Sequence, residues 1–219
     1  MDLPTIIVNF KTYESATGQK ALELAKIHEK VAQETGVSIG VSVQLADLKM
    51  IADAVSIPVF AQHIDPVEYG SNTGHVMPVA VKEAGAYGTL LNHAERQIPM
   101  DVLEKSIESA KEAGLYTVVC ANTPEAGVEI AKLEPGLIAV EPPDLIGGDV
   151  SVSSADPGII TKSCELIGGD KLLVGAGVKT GEDVKKCIEL GSSGVLLASG
   201  VTKADDPMSV LKDLANGLK

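Results

Sequence analysis

An eightfold alternation runs the length of this chain and leaves it few folds to choose from. Four to seven apolar residues, a turn, and then ten or more residues with helical periodicity recur from one end to the other. The apolar runs begin near Thr5 (TIIVNF), Val37 (VSIGVSV), Pro58 (PVFAQ), Ala86 (AYGTLLN), Leu115 (LYTVVC), Leu137 (LIAVE), Lys171 (KLLVG) and Gly194 (GVLLA). A strand that is apolar on consecutive residues has no solvent face, so its sheet must be covered on both sides. Helices between successive strands return the chain to the same end of the sheet, which makes the strands parallel. Eight such units in 219 residues suit a closed barrel better than an open doubly wound sheet. The expectation is an α/β fold, a (β/α)8 barrel of eight parallel strands with an outer ring of helices. No linker rich in Pro, Gly or Ser interrupts the units, so residues 1–219 are expected to form a single catalytic domain.

Helix signals agree. Residues 101–114 (DVLEKSIESAKEAG) set Leu103, Ile107 and Ala110 on one stripe, with Gly114 as the stop. Thr180-Gly-Glu-Asp183 resembles a capping box, and Asp156-Pro157 and Asp206-Pro207 each offer an N-cap followed by proline at the first helical position.

In a barrel of this kind the residues just past each strand collect at one face, and that face carries the chemistry. After the first strand come Asn9 and Lys11, which point to the same side of an extended segment and set an amide and an ammonium at the barrel mouth. After the fourth comes Asn92-His-Ala-Glu-Arg96, with His93 at the strand end. Of the other histidines, His28 lies inside the first helical stretch and is expected at the surface. His63 and His75 flank the long loop after the third strand without a clear third ligand for a metal. After the sixth strand comes Glu141. An acid that closes the apolar run Leu137-Ile-Ala-Val140 and is followed by Leu145 and Ile146 is expected to be desolvated. Desolvation raises its pKa and makes it a candidate base. The seventh and eighth strands run into small-residue turns, Val174-Gly-Ala-Gly-Val178 and Leu197-Ala-Ser-Gly200. Small residues let backbone N–H groups approach a phosphate, with Gly177, Ala198 and Ser199 as candidate contacts.

Charge and composition narrow the partners. A net charge of −12 without long acidic runs argues against nucleic acid or an anionic membrane surface. There is no apolar run long enough to span a bilayer, and Met1-Asp-Leu-Pro4 leads straight into the first strand, so a soluble cytoplasmic protein is expected. Cys120, Cys164 and Cys187 are an odd, widely spaced set, read as reduced small core residues.

Taken in order, these segments resemble the triosephosphate isomerase family along the full chain. Asn9-Phe-Lys11 is similar to the family's N-x-K, His93-Ala-Glu-Arg96 to its H-S-E-R, and Glu141-Pro142 followed by Ile146-Gly147 to its E-P-x-x-x-I-G lid. Val174-Gly-Ala-Gly177 and Leu196-Leu-Ala-Ser-Gly200 look like its phosphate loops. The short length, Thr89-Leu-Leu-Asn-His93 and the Pro-Pro-x-x-Ile-Gly pattern are most similar to the compact archaeal branch, which implies a homotetramer where most other members are dimers.

The resemblance implies a TIM barrel that interconverts dihydroxyacetone phosphate and D-glyceraldehyde 3-phosphate with no cofactor and no metal. It implies Glu141 as the base that moves the carbon-bound proton and His93 as the neutral group that polarises the carbonyl, a pairing for which triosephosphate isomerase is itself the standard worked case. Lys11 would supply charge to the phosphate and the enediolate, and Asn9 a hydrogen bond near the substrate oxygen. Glu95 would be a partly buried carboxylate paired with the lysine. Ile146 and Gly147 would cover the substrate, and Thr73 would reach a neighbouring subunit's site. The chain departs from the pattern at Ala94, in place of serine, at Gln97, in place of a second arginine, and in a lid without tryptophan. Without the resemblance, the last two loops equally suit another phosphate-binding barrel enzyme, an epimerase or synthase, or a non-catalytic sugar-phosphate sensor. The set Asn9, Lys11, His93 and Glu141 speaks for the isomerase.

Overall fold

The computed structural model describes residues 1–145 and 151–219, and the expectations for Ile146 and Gly147 lie outside the described residues. Strands β1 (Thr5–Asn9), β2 (Ser38–Val43), β3 (Val59–Ala61), β4 (Gly88–Leu91), β5 (Tyr116–Ala121), β6 (Leu137–Val140), β7 (Leu172–Gly175) and β8 (Gly194–Leu197) close a parallel barrel in chain order. Thr5 to Val8 register with Gly194 to Leu197, so the first strand pairs with the last. Helices α1 (Gln19–Thr35), α2 (Leu45–Ala52), α3 (Pro78–Glu83), α4 (Met100–Glu112), α5 (Pro124–Ala131), α6 (Val152–Ala155), α7 (Pro157–Ile167), α8 (Gly181–Glu189), α9 (Ser199–Thr202) and α10 (Pro207–Asn216) form the outer layer. No described helix is long and apolar enough to cross a membrane.

Each apolar run forms its strand within two residues of the expected start. The helix starts also follow the sequence signals. Thr180 accepts from the Asp183 amide while the Asp183 carboxylate accepts from the Thr180 amide, and Asp156 and Asp206 cap α7 and α10. Cys120 and Cys187 are buried free thiols, and Cys164 is half-buried.

Side-chain alternation splits the core into two layers. Ile7, Leu90, Val118, Leu173 and Leu196 fill the barrel interior. Their strand neighbours Ile6, Leu91, Val119, Leu172 and Val195 face outward and pack with helix residues such as Leu103, Val184 and Leu211. Phe60 occupies the interior because Gly88 leaves it room: a Cβ at Gly88 would lie 2.8 Å from the ring. Tyr87 packs edge-on to Phe60, with centroids 5.5 Å apart, and Tyr116 follows it at 5.7 Å.

One expectation is corrected here. His28 is not at the surface but fully buried. It shares a helix face with Leu24 and Val31, also buried, so it occupies a position on the apolar stripe of α1. Its ring packs on Phe10 with centroids 5.4 Å apart, Nδ1 donates to the Leu24 carbonyl at 2.7 Å, and Nε2 has no partner among the described residues. Burial, only partly offset by the bond to Leu24, pushes its pKa down to about 4.

The unfolded chain, with its histidine near 6.5, therefore binds more protons than the folded one between pH 6.5 and 4. Stability falls as pH drops through that window, by about 3 kcal/mol in all for this one group. Thermal melting of the parent and His28→Leu from pH 7 to 4 checks this. The variant should lose less melting temperature on acidification, and parallel curves would show that His28 does not set the acid limb.

Candidate active site

The inward-facing alternation of the strands continues past the top of the barrel. Leu137 and Ala139 point into the interior, and the next position of that parity is Glu141; Ile7 leads to Asn9, Leu173 to Gly175, and Leu196 to Ala198. Chain ends that leave the barrel together thus deliver Asn9, Lys11, His93 and Glu141 to one cavity, which Gly177, Ala198 and Ser199 also line.

Glu141 is 5% exposed. Its amide continues the ladder by donating to the Ala121 carbonyl at 2.9 Å. Its Oε2 is buried without a hydrogen-bond partner among the described residues and lies 3.8 Å from His93 Nε2. Burial pushes the carboxyl up, and the neighbouring His93 ring, the Cys120 thiol and the Lys11 ammonium offset only part of that. The side chain passes directly over Gly175, where an added Cβ would come within 2.2 Å of Glu141 Cγ.

His93 is buried, and the Glu95 amide donates to its Nδ1 at 3.1 Å. A ring nitrogen that accepts carries no proton, so the neutral ring holds its proton on Nε2, on the Glu141 side; this tautomer is assigned from the hydrogen bond. The turn before it is held by Asn92, a left-handed residue at φ 58°. Its side chain donates to the Cys120 carbonyl and accepts from the Ile98 amide, both at 3.1 Å.

Lys11 requires a correction. The strand ends at Asn9, and Lys11 adopts φ 48° rather than an extended conformation. Asn9 Oδ1 accepts the Lys11 amide at 3.0 Å and curls the chain, so the two side chains share the cavity through a turn and not through strand alternation. Gln62 braces this turn by donating to the Lys11 carbonyl at 3.0 Å and to Asn9 Oδ1 at 3.3 Å. Lys11 Nζ pairs with Glu95 at 2.7 Å, with side chains 12% and 58% exposed. Glu95 was expected to be partly buried, but Glu95, Arg96 and Gln97 are consecutive exposed residues. Pairing with the lysine, not burial, holds its carboxylate.

Thr73 stands exposed on the loop between β3 and α3 and does not line the cavity. His63 Nε2 bonds to Asp65 Oδ1 at 3.0 Å, and the described residues contain no group of three or more His, Cys, Asp or Glu placed to hold a metal. Sequence reasoning missed Gln62, Cys120 and the contact between Gly175 and Glu141. Strand parity was the available signal for the last two.

The family model for triosephosphate isomerase matches residues 4–216. The chain belongs to the triosephosphate isomerase family. The triosephosphate isomerase of Methanobacterium bryantii is 49% identical over 219 residues, which cover 98% of this chain and 97% of the relative. That of Methanosarcina acetivorans is 46% identical over 218 residues, 98% of each. The crystal structure of triosephosphate isomerase from Bartonella henselae aligns with a TM-score of 0.75 at 19% identity, over 96% of this chain and 98% of the other, and speaks to the fold alone. Ala94 and Gln97 do not line the cavity.

Proposed function

We propose that this isomerase interconverts dihydroxyacetone phosphate and D-glyceraldehyde 3-phosphate through an enediol(ate) intermediate. The observation that carries the reading is the buried, unpartnered Glu141 oxygen 3.8 Å from the His93 Nε2, in a cavity that also holds Lys11. Glu141 takes a proton from the carbon next to the carbonyl, and the same carboxyl returns it to the neighbouring carbon. Removing such a proton at neutral pH calls for a base whose pKa is raised towards the working range. The electron pair moves onto the carbonyl oxygen, where the Nε2 proton of His93 and the Lys11 ammonium stabilise the growing charge. His93 gives that oxygen its proton and takes the proton of the neighbouring hydroxyl, so the second carbonyl forms as Glu141 returns its proton to carbon. Asn9 donates near the same oxygen, and Glu95 keeps Lys11 in place.

The turns at Gly177 and at Ala198 and Ser199 hold the phosphate, whose binding energy orients the reacting carbons. Ile146 and Gly147 complete the cover over the substrate. Only protons move, so the reaction requires neither cofactor nor metal. The whole chain acts as one catalytic domain of a cytoplasmic homotetramer, with Thr73 at a subunit contact. Light scattering at a mass of four chains supports that assembly, and a dimer mass refutes it.

A coupled assay with triose phosphates tests the activity on the parent and on Glu141→Asp. Withdrawing the carboxylate by one methylene should cut turnover by about 10²-fold or more. A variant within a few-fold of the parent would remove Glu141 as the base. A parent that leaves triose phosphates unchanged would redirect the reading to an epimerase, a synthase or a sensor. Exchange of carbon-bound protons with heavy water, followed by NMR of the sugar phosphate, separates the enzymes from the sensor.

A further inference from the structure

Asp183 looks at first like half of a capping box, but its carboxylate takes five donors. Oδ2 accepts from the Lys179 amide at 3.2 Å, the Thr180 amide at 3.0 Å and the Thr180 hydroxyl at 2.8 Å. Oδ1 accepts from the Ser151 hydroxyl at 2.6 Å and the Ser153 hydroxyl at 3.4 Å. A helix start uses only the Thr180 pair. The serine contacts reach a distant stretch of chain, where it enters α6. Ser151 and Ser153 are buried, with their hydroxyls 2.8 Å apart, and buried hydroxyls are costly unless satisfied.

A second tie lies alongside, since the Val152 amide donates to the Ala176 carbonyl at 3.2 Å. Residues 151–153 lie about ten positions beyond Glu141 in the chain, and residues 176–179 line the cavity at the end assigned above to phosphate. One carboxylate therefore joins the cavity wall at residues 176–179 to the start of α6. Burial alone would raise the Asp183 carboxyl, but the bonds from Ser151, Thr180 and the Lys179 and Thr180 amides outweigh it and hold it below the usual carboxylate range.

We propose that Asp183 is a positioning residue for the phosphate handle, its carboxylate clamping the turn from Ala176 to Thr180 against the segment from Ser151 to Ser153. The proposal rests on the functional reading above only in taking that turn as the phosphate end of the cavity. It assigns Asp183 no contact with the reacting atoms. Loosening the clamp should weaken the grip on the anion while leaving the proton transfers at Glu141 and His93 largely intact.

Titration of the protein with inorganic phosphate, together with steady-state kinetics, tests this on Ser151→Ala and Asp183→Ala. Ser151→Ala removes the strongest inter-loop bond and leaves the capping box whole, so it keeps the test informative if Asp183→Ala folds poorly. Each variant should bind phosphate about tenfold more weakly, the effect of losing one hydrogen bond to a charged group. The KM for triose phosphate should rise in step, with kcat within about threefold, and turnover of D-glyceraldehyde, which has no phosphate, should not change. A role in helix capping alone predicts a lower melting temperature for Asp183→Ala with phosphate affinity untouched in both variants, and that result overturns the proposal. So does a fall in kcat at constant phosphate affinity, or a parent that binds no phosphate. If the parent binds phosphate but fails to isomerise triose phosphates, the functional reading falls, and the phosphate titrations still decide the clamp.

Discussion

Glu141→Gln is expected to lower turnover by about 10³-fold while raising the melting temperature at neutral pH. The amide has nearly the shape of the acid but cannot accept a proton from carbon, so the chemical step loses its base. The stability half of the prediction follows from the environment. The folded protein holds Glu141 at a raised pKa because the carboxyl is buried. The unfolded chain releases that proton near 4.5. Above that pH the folded state binds more protons than the unfolded one, so this group's contribution becomes less favourable as pH rises through its folded pKa. Once ionised, Glu141 is a buried charge with an oxygen that no described residue bonds. A neutral amide removes that cost, although its own unsatisfied N–H offsets some of the gain.

The melting advantage of the variant should thus be absent near pH 4.5 and grow toward neutrality. His28 titrates alike in both proteins and cancels from the difference. Calorimetry of the pair across that range, with turnover measured alongside, is the check. A variant that melts lower than the parent at pH 7 would contradict the desolvated carboxylate, and near-parental turnover would contradict the base.

Gly175→Ala should lower kcat by about 10²-fold with little change in phosphate affinity. Gly175 does not have a positive φ, so its backbone accepts alanine. The obstacle is one side chain, since the new Cβ would sit 2.2 Å from Glu141 Cγ and 2.6 Å from Oε1. Glu141 must swing aside by an ångström or so, and displacement on that scale typically costs about 10²-fold. Because the carboxylate has open cavity to move into, the fold should survive. Steady-state kinetics and phosphate titration distinguish this from the alternative, in which the glycine lets the backbone approach the phosphate. There the loss would appear in phosphate affinity, with kcat held.

That alternative is what the sequence suggested, and the difference shows where sequence reasoning stops. The strands were legible because parallel strands sealed on both faces are written as uninterrupted apolar runs. The order of site residues was legible because the topology sends every strand end to one face. The contact between Gly175 and Glu141 was not, because it depends on which side chain the neighbouring strand lays across the glycine. Lys11 was misjudged for a local reason: the Asn9 side chain captures the next-but-one amide and ends the strand, an option the backbone pattern alone does not reveal. His28 was misjudged because its residue type outweighed its position, although its spacing from Leu24 and Val31 already placed it on the buried stripe. The five-donor role of Asp183 was legible only in its local half, since Ser151 and Ser153 lie far away in sequence.

The shared parity of interior packing and chemistry has a consequence for how such a chain can change. Losing one residue within Leu137–Val140 would exchange the two faces of β6, moving the side chains that fill the interior into the helix layer. It would also aim the carboxylate at position 141 away from the cavity. Folding and activity would fail in a single step, with no intermediate that keeps one and loses the other. Insertions and deletions are therefore tolerable in the connecting loops and lethal inside the strands, and the reading frame of the barrel wall protects the position of the base.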